Sequence, residues 1–316
     1  MAQNLTILDI ARMCGVGKST VSRVINQDPK VKPETRDKIQ AFIDEVGFIP
    51  SRSAKAMRTK RSMVIGVLLT RLDSPSENKV IRGILNILTK NGYDTLLMES
   101  QMTIEGVEHC LNTLKQRDVD GVLLFGFCGI TAAQLESWQH NLVLLAWPIN
   151  GFSSVCYDDA RAIELSCEHL YQLGKRHIAF IGVNDKDETT GLRRTRAYLD
   201  FCQKHQLTPR FVTGELSYHS AFDNTANILE PTTQALICAS DTLALGSACY
   251  VQSQARSDII ICGVGHSDLL KFLFPNTISV ELGYEQAGIQ AAELLLEHLN
   301  QQQAPQQKIC QCSLIQ

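Results

Sequence analysis

Apolar side chains in the first fifty residues recur every three or four positions: Ile7, Ile10, Ala11 and Cys14, then Val21, Val24 and Ile25, then Ile39, Phe42, Ile43 and Val46. That spacing places each group on one face of a helix and predicts three short helices. Thr6 with Asp9 three residues on resembles a capping box, Gly15 ends the first helix, and Val16-Gly17 link it to the second. The third opens with Pro33 in its first turn and stops at Gly47. From about residue 62 the rhythm changes. Short β-rich runs ("MVIGVLL", "DTLLME", "GVLLFG", "LVLLAW", "HIAFIGV", "ALICAS", "DIIICGVG", "TISVEL") alternate with helical stretches such as "IRGILNILTKNG" and "AAELLLEHLNQ". The fold class this predicts is α/β, parallel sheets with helices on both faces, behind a small all-α headpiece. Near "SSVCYDDARAIELSCEHLYQLG" the pattern starts afresh, which predicts a second lobe, and a last strand at about Lys308 to Leu314 is expected to cross back. The expected domains are a headpiece, 1–61, and a core, 62–316, with lobe 1 about 62–157 plus 284–303 and lobe 2 about 158–283 plus 304–316.

The stretch "CGVGKSTVSRVIN" poses a choice between a phosphate loop and a DNA-reading helix. A P-loop needs glycine five residues before Gly17 and a buried strand in front; Arg12 stands there, and "LTILDIARM" is spaced for a helix. A helix-turn-helix fits, because Lys18, Ser19, Ser22 and Arg23 share the face opposite Val21, Val24 and Ile25. A three-helix bundle whose polar face merely meets water remains the plain alternative. Charge favours the first. Residues 1 to 61 hold twelve Lys or Arg against six Asp or Glu, a balance of +6, whereas the whole chain is −3 and the remainder therefore −9. A pI near 6.2 thus hides a cationic headpiece on an acidic body, the asymmetry of a chain with one end meant for nucleic-acid phosphates.

Other chemistry finds little support. No apolar run reaches the ~20 residues of a membrane span and no signal peptide precedes the headpiece, so a cytoplasmic protein is expected. Eleven cysteines include no C-x-x-C pair, with only Cys310 and Cys312 coming close, and read as reduced thiols. The eight histidines show no zinc-type spacing and there is no G-x-S-x-G elbow, so neither metal, cofactor nor enzyme activity is expected.

Open parallel sheets bind ligands beyond the carboxyl ends of their strands. After the first strand, "TRLDSPSEN" offers Arg71, Asp73, Ser74, Ser76 and Glu77; after the fifth, "NDKDETTGLRRTR" offers Asp187, Glu188, Thr189, Thr190, Arg193 and Arg194. "ASDT" adds Asp241 and Thr242, "GVGHSD" adds His266 and Asp268, and "GYEQAG" adds Tyr284. Singly, each reads equally well as a solvated loop or cap residue. Jointly they read as a sugar site, with Trp147 and Phe152 as ring faces and the arginines as cations for a phosphate.

"LTILDIARMCGVGKSTVSRVIN" followed by "GFIPSRSAKAMRTKRS" resembles the headpiece and hinge segment of the LacI family of bacterial transcription repressors. The resemblance implies that Lys18 and Ser19 meet bases in the major groove, that Arg23 meets base or backbone, and that Thr6, Thr20, Ser22 and Asn26 complete the DNA surface. It implies a hinge helix at about 51–59, with Arg52 and Ala54 near DNA and Met57, where leucine is more usual, as the minor-groove wedge. For the core it implies two periplasmic-binding-protein-like lobes joined by three crossovers around a cleft, paired with a second copy through the first lobe. The likeness runs through the whole chain, in "TRLDSPSEN", "DGVLLFGF", "SVCYDD", "TTGLRR", "AYLDFC", "SDTLALG" and "LGYEQAG". It implies control of trehalose uptake and breakdown, with trehalose 6-phosphate as effector. Arg71, Leu72, Asp73, Ser74, Ser76, Glu77, Gly126 and Trp147 would line one side of the site. Asp187, Glu188, Thr189, Thr190, Arg194, Thr242 and Tyr284 would line the other, with Arg71 and Arg194 gripping the phosphate from opposite lobes. Relatives carry arginine at the end of the fourth strand, where this chain has Trp147-Pro148. A LacI-type repressor answering to another sugar or a nucleobase, and an enzyme or sugar-binding module with an incidental helical bundle, are the competing readings.

Overall fold

A computed structural model describes residues 5–25, 28–48, 61–301 and 303–315. It divides into two compact units, Met1–Met63 and Val64–Gln316. The first contains α1 (Ile7–Cys14), α2 (Lys18–Ile25) and α3 (Pro33–Glu45). The capping box is present: the Asp9 N–H donates to Thr6 Oγ1 at 3.3 Å and the Thr6 N–H to Asp9 Oδ2 at 2.9 Å. Gly15 closes α1 at φ 66°, which only glycine adopts freely. The helices pack Ile10, Ala11, Cys14, Val21, Val24, Ile39 and Ile43 into one core, with Phe42 and Val46 partly buried at its edge. A helix stands where a P-loop needs a strand, so Gly17-Lys18-Ser19 is a turn into α2.

The second unit holds two six-stranded sheets. The first runs β11 (Gln307–Cys310), β5 (Ser153–Tyr157), β4 (Leu142–Leu145), β3 (Gly121–Phe125), β1 (Val64–Leu69), β2 (Asp94–Glu99), all parallel. The second runs β12 (Ser313–Ile315), β10 (Ile278–Glu281), β9 (Ile260–Val264), β8 (Ala235–Cys238), β6 (Ile178–Val183), β7 (Arg210–Gly214), with β12 alone antiparallel. The chain crosses between the sheets three times, after β5, after β10 and after β11. The single closing strand expected from the sequence is two, and β11 belongs to the first sheet, so the boundary that placed 304–316 in lobe 2 is corrected to just before β12. Edge position explains the misreading, since β11 and β7 bury too little to show a continuous apolar run. Helix Tyr284–Asn300 returns against helix Pro75–Lys90 at backbone contact: a Cβ on Gly83 would run into the Glu285 carbonyl, and one on Gly288 into that of Val80. This contact brings the start of both helices, and hence Ser74 and Tyr284, to the same end of the sheets.

Candidate DNA-reading face and effector cleft

On α2, Val21 and Val24 point into the core while Lys18, Ser19 and Arg23 are exposed and Thr20 and Ser22 half-buried. Two turns of periodicity therefore leave a polar, cationic face free, with Arg23 Nε a loose 3.9 Å from Asp28. Thr6 is committed to its cap, donating its hydroxyl to Asp9 Oδ2 at 2.6 Å; this bond is the chief reason the Asp9 carboxyl lies below its ordinary pKa. Asn26, Arg52, Ala54 and Met57, with the hinge segment at 51–59, fall outside the described residues.

At the carboxyl ends of the strands lies a cavity of about 600 Å³, within the usual range for small-molecule sites. Arg71, Ser74, Ser76, Glu77, Gly126 and Trp147 reach it from the first lobe; Asp187, Glu188, Thr189, Thr190 and Arg194 reach it from the second. Tyr284 lies at the crossing and edges against Tyr157, ring centroids 4.9 Å apart. Thr242 lines a second space of about 340 Å³ that shares Arg71, Thr190, Arg194 and Tyr284 with the first. Leu72 and Asp73 line neither; both are exposed, because the chain turns outward there to start helix Pro75–Lys90. Phe152 is packed in the first lobe's core rather than offered as a ring face, and His266 lines a separate groove outside the cleft. Residues missed by sequence reading are Asp159, Tyr157 and Lys186. Asp159 is the second carboxylate of "SVCYDD", and nothing in its spacing told it from an ordinary helix-start aspartate.

The first wall carries a carboxylate and a cation. Glu77 is buried, and burial raises its pKa against the opposing pull of the Thr70 N–H, which donates at 3.0 Å, and of the Thr70 hydroxyl, which also donates to it. The Arg71 Nε–H is buried with no acceptor among the described residues. Ser74 caps the helix through the Glu77 N–H and its Oγ lies 3.0 Å from that of Ser76.

On the second wall Arg194, expected to grip a phosphate, lines the cavity and is paired within it: it is 3% exposed, its Nε and Nη2 donate to Asp159 Oδ1 at 2.9 and 2.6 Å, and its Nη1 donates to the Ala239 carbonyl, which leaves a second N–H on each of Nη1 and Nη2. Burial works against its charge, but Asp159 and Tyr284 together outweigh burial and its pKa is raised. What the pair presents to the cavity is the other Asp159 oxygen, Oδ2, which is buried without a donor among the described residues and suits a ligand hydroxyl. Asp187 is spent on the turn it caps, accepting from Thr189 N, Thr190 N and Thr189 Oγ1 at 2.9–3.0 Å. Asp241 likewise holds Ser279 Oγ and Ser267 N, and burial raises its pKa. Among the described residues no cluster of His, Cys, Asp or Glu could hold a metal, and all eleven cysteines are free thiols.

The family model for bacterial regulatory proteins of the LacI family matches residues 6–51, and a periplasmic binding protein-like domain matches 167–316. Over 314 residues the chain is 46% identical to the HTH-type transcriptional regulator TreR of Escherichia coli, covering 99% of this chain and all of that one. The chain belongs to the LacI family. With that family it is a DNA-binding transcriptional repressor that takes a small-molecule effector, and not an enzyme. The TreR of Salmonella typhimurium is also 46% identical, over 95% of each chain. The solved trehalose repressor of Escherichia coli matches 80% of this LacI-family chain and 99% of its own at 44% identity, TM-score 0.78. A lac repressor dimer bound to operator, 21% identical over 99% of this chain and 98% of its own, shares the fold with TM-score 0.85. Among the described residues no helix is long and apolar enough to cross a membrane.

Proposed function

We propose that this repressor controls genes for trehalose uptake and breakdown and that trehalose 6-phosphate releases it from its operator. The observation that carries the reading is the 46% identity with TreR over nearly the whole chain. The chemistry of the cleft supports it: an acceptor-hungry Arg71 on one wall for an anion, and Asp159 Oδ2 with Thr189 and Thr190 on the other for hydroxyls. A ligand held by both lobes favours the lobe arrangement in which both reach it, and effector binding then biases operator affinity by that differential affinity. Moving the balance from ~1:99 to ~99:1 takes about 5.5 kcal/mol.

The repressor acts as a homodimer on double-stranded operator, since one headpiece of three short helices spans a half-site. Exposed apolar side chains lie on both lobes, Leu72, Leu97, Met102 and Ile309 on the first and Tyr218, Phe222, Leu269, Phe272 and Leu273 on the second. Pairing through the first lobe remains the reading, and its exposed apolar side chains are available for it. The test is an operator-release titration with trehalose 6-phosphate, trehalose, other sugar phosphates and nucleobases. Release by trehalose 6-phosphate at concentrations where the others fail is the expected result, and release by an unrelated ligand alone would overturn it.

A further inference from the structure

We propose that Lys79 is a latch between the two lobes, a positioning residue that holds the effector cleft in its binding arrangement. The inference rests on the reading above that the effector is held by both lobes. Lys79 lies on helix Pro75–Lys90 of the first lobe, and its ammonium crosses to the second. There it donates to the Gly265 carbonyl at 3.0 Å and to the His266 carbonyl at 2.6 Å. The Glu281 carboxylate, at the end of β10 where the chain crosses back to the first lobe, stands 3.6 Å from it. One half-buried cation thus meets a helix of one lobe, a turn of the other and the strand that leads between them.

The turn that receives Lys79 is anchored in its own lobe. Gly265 has φ 135° and His266 φ 50°, and a histidine adopts that left-handed conformation only where its surroundings dictate it. The N–H groups of the turn are used inside the second lobe. Gly265 donates to the Val280 carbonyl at 2.8 Å, His266 to Ser279 Oγ at 2.9 Å, and Ser267 to Asp241, which also accepts from Ser279 Oγ. What Lys79 grips is therefore tied to β10 and to the start of helix Asp241–Ser253, so a shift of the turn is a shift of the lobe. On the other side, Ser76 stands one turn before Lys79 on the same helix face. Ser76, Lys79, Gly265 and Ser267 line the space of about 340 Å³ beside the main cavity, and Ser76 lines both. With the latch made, Arg71 of the first lobe and Asp159 of the second face one cavity, which is the arrangement a bridging effector needs. Lys79 is 30% exposed, so solvent screens the contact and its contribution to stability is modest. Acting on an equilibrium between lobe arrangements, a modest bias changes the fraction competent to bind, and hence the apparent affinity of every ligand of the cleft, by one factor. Trehalose and trehalose 6-phosphate gain alike from a latch, whereas a cation gripping the phosphate would separate them.

Calorimetry on the full chain tests this, with both sugars titrated into wild type, Lys79→Met, Lys79→Arg, Glu281→Gln and the double variant Lys79→Met/Glu281→Gln. Lys79→Met keeps the length of the side chain and removes its donors; it should weaken both sugars by the same factor, roughly 3–30-fold. Lys79→Arg, which keeps charge and donors, should restore most of that loss. Glu281 lines neither space of the cleft, and glutamine there keeps the oxygen that accepts from the Gly283 N–H. Glu281→Gln should therefore weaken both sugars by a smaller factor that does not add to the loss of Lys79→Met in the double variant, as a direct contact of Lys79 with sugar would not predict. Unchanged affinity in Lys79→Met, loss of trehalose 6-phosphate alone, or losses that add in the double variant overturn the proposal. A wild type that binds neither sugar overturns the effector reading, and X-ray scattering without sugar then decides the latch. A larger radius of gyration for Lys79→Met than for wild type supports it, and equal radii overturn it.

Discussion

The α2 face and the effector cleft bind by opposite constructions. On α2 the working side chains, Lys18, Ser19 and Arg23, are exposed, come from a single helix, and have few partners of their own, so whatever they meet is chosen by DNA. In the cleft the groups come from loops after several strands of both lobes, and Glu77, Asp159 and Arg194 are buried and already hydrogen-bonded within the protein, Arg194 to Asp159 and Glu77 to Thr70. A solvated cation can be altered without disturbing the fold beneath it, whereas a buried pair is part of the fold. The difference separates recognition from stability in the headpiece and ties them together in the core.

The sharpest break of that comparison is Arg194→Ala. Leaving Asp159 charged, buried and alone should destabilise the core by about 3–5 kcal/mol, read from urea unfolding, with effector binding lost alongside. A variant of wild-type stability that is merely deaf to effector would show the pair to be dispensable for folding. Next, Lys18→Ala and Ser19→Ala should cost operator affinity by roughly 1–3 kcal/mol where a base contact is removed and shift base preference, with effector affinity unchanged. Unfolding of the headpiece by either substitution would contradict the exposed-face reading. Thr6→Ala should be smaller, about 0.5–2 kcal/mol of headpiece stability, because it deletes one cap in an otherwise intact core.

Acid should then separate the two regions by sign. Asp9 has a folded pKa below its ordinary 3.8, so the stability it contributes is present above that value and lost as pH falls through the folded pKa; the advantage of wild type over Asp9→Asn shrinks on acidification. Glu77 has a folded pKa above its ordinary 4.5, so its contribution is fully present below that value and lost as pH rises through the folded pKa; wild type gains on Glu77→Gln on acidification. Thermal melts of both pairs from pH 3 to 7 check the signs, and parallel trends would remove the distinction.

How much of this could be read beforehand follows from the same contrast. The headpiece was legible almost residue by residue, because helix period, a capping box and a closing glycine are local signals, and the free face is simply what the apolar period leaves over. The alternation of the core and its two lobes were legible for the same reason. The edge strand β7 was not, nor was the division of the closing segment into β11 and β12 on different sheets, since an edge buries one side or little at all and its pairing depends on a partner far away in the chain. The loops of the cleft could be named, because a parallel sheet puts its ligands at the strand ends, but the duty of each side chain in them could not. Asp73 and Leu72 stood in the right loop and point out of it; Arg194 lines the cavity, but its pairing with Asp159 could not be foreseen; Asp159 gave no local sign at all. Sequence by itself determined the helices, the alternation, the charge split and the family. Tertiary structure alone decided which polar groups neutralise each other and which remain to meet a ligand, because that is settled by distances of about 3 Å between residues dozens of positions apart.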